Sequence, residues 1–130
     1  MGKTDDRSLL EQILQAWRVN NSINSKLVRA IPQKGFAAVP LASRGRTVLR
    51  QLLHIHKVHV GWLRYFGMKL PAKARPFKKG ASPSRAQLVA AFRAADKASE
   101  AYLREKLESG GRVKFFQRSE ERRVGKECRL

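Results

Sequence analysis

The feature that most limits what this chain can become is the spacing of its apolar residues. They step by threes and fours through three separate stretches and nowhere alternate convincingly at period two. In the first stretch, Leu10, Ile13, Leu14, Trp17, Asn21, Asn24, Leu27, Val28 and Ile31 share one helical face. Asp5 or Asp6 offers an N-cap, and Pro32 stops the run. The segment PQKGFAAVPLASRGR, with its prolines and glycines, reads as a loop across the end of a bundle. A second helix is expected from Ser43, as N-cap, to Phe66, with Gly67 ending it. A third is expected to start with Ser82 as N-cap and Pro83 as its first helical residue, and to end near Gly110. It would bury Leu88, Phe92, Ala95, Ser99, Tyr102 and Leu103. The fold class is therefore all-α. Three long helices with short connections predict an antiparallel bundle, whose core a fourth helix usually completes.

A chain of 130 residues with 42% apolar content makes one domain with a modest core. Its formal charge of +18, from 28 Lys and Arg against 10 Asp and Glu, raises the question of a polyanionic partner. The basic residues are spread along the whole chain, and only KLPAKARPFKK concentrates them. Nucleic-acid binding through Lys69, Lys73, Arg75, Lys78 and Lys79 is the alternative reading of that patch. A solvated basic surface is the favoured one, because Phe77 is the single aromatic there and no stacking platform forms. Cys128 stands alone, so there is no disulfide framework, and a reducing cytoplasm is the expected location. No signal-peptide order and no apolar run near the ~20 residues of a membrane span is present, so no membrane association is expected. The residues nominate no catalytic group. Glu100 and Glu105 form no acid-base pair, and Ser22, Ser25 and Ser43 lie in no nucleophile elbow.

The stretch QLLHIHKVHVGW holds all three histidines. At about 100° per residue, Val48, Leu52, Ile55, His59, Trp62 and Phe66 form one stripe, the expected core face. His59 falls within it, His56 at its edge and His54 on the flank. His54 and His56 then point about 160° apart, so the three rings do not converge, and a metal here needs ligands from another helix. His56 and His59 read better as packing or hydrogen-bonded residues. Asn20, Asn21 and Asn24 either hydrogen-bond inside the bundle or line a pocket, with packing favoured.

The order NNSINSKLVRAIP, then SRGRTVLRQLLHIHKVHVGWL, then LPAKARPFKKGASPSRAQLVAAFRAADKASEAYL and GGRVKFF is similar to the DinB family, within the wider DinB/YfiT-like group. The resemblance covers nearly all of residues 8–117. Its most specific pieces are His54 followed eight residues later by Trp62, and the RVKFF run. It implies an up-down four-helix bundle that holds divalent nickel or zinc through one histidine of the second helix and two histidines, four apart, on the fourth. Such a site leaves positions open for water or a thiol. The implied chemistry is thiol-linked transfer or hydrolysis of a small-molecule substrate, in a chain that can form a homodimer. The second-helix ligand carries over to His54, because Ile55 and Trp62 then take the family's apolar positions. His56 and His59 are weaker candidates.

This chain departs from that pattern at its end. No histidine follows His59, and RSEERRVGKEC, Arg118 to Cys128, stands where the fourth helix should begin. Those residues resemble the in-frame translation of a common short-read sequencing adapter. The expectation is an incomplete DinB-like domain over 1–117 and a non-native tail over 118–130, which removes Cys128 as a nucleophile. The tail carries five basic and three acidic residues, so the remainder stays strongly basic. One imidazole cannot hold an ion tightly. The expected chain is thus inactive, binds no metal tightly, and exposes apolar faces that favour association.

Overall fold

The computed structural model describes residues 3–110, with side chains from residue 8 onward. The RVKFF run, the expected boundary at 117, Cys128 and the adapter-like tail lie outside the described residues. Three long helices, α1 (Lys3–Ala30), α2 (Val48–Tyr65) and α3 (Arg85–Glu108), are joined through short 3-10 turns at Gln33–Ala37 and Ala72–Ala74. No strand occurs among the described residues, and none of these helices is long and apolar enough to cross a membrane.

The starts of the helices differ from those the sequence suggested, each for a local reason. α1 already begins at Lys3, which places Asp5 and Asp6 inside the helix instead of at its cap. α2 is capped by Thr47, whose side chain accepts from the Arg50 amide at 3.1 Å. Ser43 cannot serve, because Arg44 (φ 54°) and Gly45 (φ 84°) take left-handed conformations that break a helix immediately after it. The Ser43 hydroxyl donates instead to the Pro40 carbonyl at 2.6 Å. α3 is capped by Ser84, two residues beyond the expected position. Ser84 Oγ accepts from the Gln87 amide at 3.2 Å and Gln87 Oε1 accepts from the Ser84 amide at 2.8 Å. This reciprocal box satisfies two otherwise orphaned donors, and Ser82 has no such partner three residues on. The helix ends agree with the sequence, with Gly67 (φ 86°) after α2 and Gly110 (φ 99°) after α3.

Contacts along the helices fix their directions. α3 runs antiparallel to α1, since Arg18 meets Glu100 and Arg104 meets Glu11 at 3.3 Å. It runs in the same direction as α2, because His56 stacks on Phe92, His59 meets Ser99 and Phe66 stacks on Tyr102. The connection over 66–84 must therefore travel back along the bundle, which the expected short connections did not anticipate. Two residues pin this returning segment: Ala74, fully buried, and Phe77, which packs against the His56 ring.

α3 is the spine of the core. Leu88 and Val89 form one cluster with Val28, Phe36 and Leu52, and Ala91, Ala95 and Ala98 are buried along the same helix. Full burial of a leucine such as Leu88 contributes about 1.5–3 kcal/mol. On α2 the buried residues are Leu52, His56, Val60 and Leu63. The buried arc is thus rotated from the expected stripe, and Ile55 and Trp62 are 56% and 38% exposed. α3 and the returning segment both pack around the His56 side, which leaves the Ile55 edge facing an open cleft toward α1.

Candidate functional site

The cleft between α1 and α2 holds a cavity of about 220 Å³. Trp17, Asn20, Asn21 and Asn24 line it from α1, Ile55, His56 and His59 from α2, and Phe92 and Asp96 from α3 beneath. The two cavity histidines are both committed to the protein. His56 is 1% exposed, lies nearly parallel to Phe92 with ring centroids 5.6 Å apart, and donates from Nε2 to the Ala74 carbonyl at 3.0 Å. Burial holds its pKa below the ordinary histidine value, although the Arg75 and Ala74 carbonyls oppose the shift. His59 Nε2 shares a hydrogen bond of 2.6 Å with Ser99 Oγ, and its ring meets Trp17 edge-on at 6.1 Å. Burial also lowers the His59 pKa, with a smaller contribution from His56. Both rings are neutral at pH 7.

Asp96 is the third polar element of the cavity. Burial raises its carboxyl pKa from 3.8 to about 6. Its partner is the amide of Asn21, which in the orientation that matches donors to acceptors donates to Asp96 Oδ1 at 3.2 Å and accepts from Trp17 Nε1 at 2.7 Å. One asparagine thereby links the α1 wall to the α3 floor. Sequence reasoning left open whether the asparagines pack or line a pocket, and Asn21 does both. Asp96 was missed altogether, although its steps of four from Phe92 and three to Ser99 place it on the inner face of α3.

Could the His59–Ser99 pair act as a nucleophile and its base? Ser99 is buried and does not line the cavity. No carboxylate hydrogen-bonds to His59 among the described residues. The pair lacks both an accessible oxygen and an orienting acid, so its bond joins α2 to α3 and performs no chemistry.

A family model of the DinB family matches residues 1–124. The chain belongs to the DinB family. No curated protein and no solved structure matches it.

His54, the ligand candidate expected from the sequence, is separated by the structure from its two neighbours on α2. It is half-buried, lies about 160° around the helix from His56, and does not line the cavity. It makes no hydrogen bond among the described residues, whereas His56 and His59 have each engaged Nε2. No group of three or more His, Cys, Asp or Glu among the described residues could hold a metal ion. The described residues of this DinB-family chain therefore do not by themselves compose a complete metal site. The basic loop forms a separate region. Lys69, Lys73, Arg75, Lys78 and Lys79 are all exposed on the returning segment, while Phe77 turns inward against His56 and is not presented for stacking.

Proposed function

We propose that this DinB-family chain contributes a single ligand, His54, to a divalent-metal centre whose other ligands it does not carry. On its own it then binds nickel or zinc only weakly and is catalytically silent. The observation that supports this reading is the contrast among the three imidazoles. His56 is buried, His59 is half-buried, and both are hydrogen-bonded to the fold, whereas half-buried His54 makes no hydrogen bond among the described residues. The resemblance to the family implies the same residue. In a complete site the ion would lower the pKa of a bound water or thiol and supply a nucleophile for thiol-linked transfer or hydrolysis of a small molecule. His54 would orient that ion, and α2 would hold the imidazole in place.

Titration of the chain with zinc and nickel tests the proposal. The expected result is weak uptake that His54→Ala abolishes. Tight stoichiometric binding, or uptake untouched by His54→Ala, rejects it. A second reading, nucleic-acid binding by the basic loop, draws support from five exposed cations without a carboxylate partner among the described residues. Phosphate contacts of that kind require affinity for a short duplex to fall steeply with added salt. A duplex that binds without salt dependence, or not at all, removes this reading.

A further inference from the structure

Away from the cleft, on the outer seam between α1 and α3, lies an open groove of about 400 Å³. That volume is within the range of small-molecule sites. Four cations converge on it from two packed helices. Lys26 and Arg29, three apart, lie on α1, and Arg93 and Lys97, four apart, lie on α3. All four are exposed, and none has an ion-pair partner among the described residues. The two carboxylates that border the groove offset these cations only in part, and positive charge stays in excess. Glu100 is taken by Arg18, and Asp96 is bridged by the Asn21 amide.

We propose that this groove is a binding site for a compact, multiply charged phosphoryl anion of the di- or triphosphate class. Spacings of three and four put each pair of cations on one helix face, and antiparallel packing brings the two pairs to face each other. The result is a clamp with cations on both sides. Both pairs include an arginine, whose planar fork matches two phosphoryl oxygens, and a lysine, which supplies a mobile point charge. Like charges gathered around one groove repel one another, and a polyanion between them relieves that repulsion. Among the described residues no aromatic side chain lines the groove, so they offer nothing for a nucleobase to stack on. These features favour a short anion over a nucleic-acid strand. The loop cations differ from the clamp, because they follow one another along a single irregular segment and have no opposing set.

The test is calorimetric titration of the intact chain with inorganic tripolyphosphate at low salt. Two double variants of equal charge loss are compared, with helicity followed by circular dichroism: Lys26→Gln with Arg93→Gln, and Lys73→Gln with Lys78→Gln. All four positions are exposed, so both variants are expected to keep wild-type helicity. The groove variant should weaken binding by about tenfold or more, as the loss of two charge-assisted contacts implies. The loop variant should change it by less than about twofold. Equal weakening in both variants would show diffuse attraction to a basic protein and overturn the site. So would the absence of any tripolyphosphate binding by the wild-type chain. A short duplex that loses affinity in the groove variant while tripolyphosphate does not would also overturn it, by reassigning the groove to nucleic acid.

Discussion

The seam between α1 and α3 and the cleft between α1 and α2 show two ways for the same helix to meet a neighbour. Along the seam, α1 lies against a helix with small buried residues, Ala91, Ala95 and Ala98, and its rim is tied by Arg18 to Glu100 and Arg104 to Glu11. Along the cleft, α1 faces α2 across a cavity, and Leu27 and Ile55 stand 58% and 56% exposed on its walls. Apolar side chains of similar kind are thus used at the seam and left in contact with solvent at the cleft. The difference lies in backbone approach: alanines on α3 let α1 come close, whereas the bulky wall of Trp17, Ile55 and His59 holds α2 away. Among the described residues the core is one-sided as a result, and stability should concentrate on α3.

The strongest attack on that comparison is a cavity at the spine. Leu88→Ala removes a fully buried side chain from the cluster that joins all three helices. We expect a loss of about 3 kcal/mol in urea unfolding, toward the middle of the range for buried leucines. A loss below about 1 kcal/mol would mean that α3 is not the spine. The next largest effect belongs to the histidine that bridges spine and returning segment. His56→Ala removes the hydrogen bond to Ala74 and the stack on Phe92, and should cost about 2 kcal/mol. His54→Ala should leave the urea midpoint nearly unchanged, because His54 makes no hydrogen bond among the described residues. Equal losses at the two positions would erase the distinction on which the ligand assignment rests.

That distinction was only half legible in the sequence. The three helices followed from the spacing of apolar residues, and their ends followed from Gly67 and Gly110. Their starts were harder, since Ser43, Thr47, Ser82 and Ser84 are all acceptable caps, and the choice between them depends on left-handed turns and on a glutamine three residues later. The separation of His54 from its neighbours was readable from helical angles alone. Which of those neighbours lies deepest was not. Periodicity placed His59 in the stripe and His56 at its edge, but the returning segment, whose path no local pattern encodes, covers His56 and completes its hydrogen bond through Ala74. Asp96 escaped notice because a lone acid among basic residues reads as a solvated charge until the asparagine facing it is known.

Asp96 gives a further prediction, which concerns the polar contact across the cavity floor. Its carboxyl titrates near 6 in the folded chain against an ordinary 3.8. The unfolded chain therefore releases this proton first, so the contribution to stability is complete below about pH 4 and is lost as pH rises through about 6. Asp96→Asn cannot ionise, yet keeps an oxygen to accept from Asn21. The variant should match wild type near pH 4 and exceed it by about 1 kcal/mol at pH 7.5, a figure reduced from the full linkage value because the carboxyl is only half-buried. Unfolding midpoints across that pH range check the sign. A variant less stable than wild type at pH 7.5 would show that the ionised carboxylate supports the cavity.

A small effect on stability is also expected at the cleft wall. Leu27→Ser with Ile55→Ser replaces two exposed apolar side chains, and the urea midpoint should move by no more than about 0.5 kcal/mol, as is usual where no packing is lost. What should change is association. Exposed apolar surface on adjoining helices favours self-contact at high protein concentration, and the double variant should sediment closer to a monomer than wild type does. The two measurements divide the possibilities cleanly. A shift in mass without a shift in stability means that the cleft is unfilled surface, as the comparison with the seam requires. A loss of stability above about 1 kcal/mol with unchanged mass means that Leu27 and Ile55 are already packed within the single chain, and then the cleft and the seam are the same kind of interface.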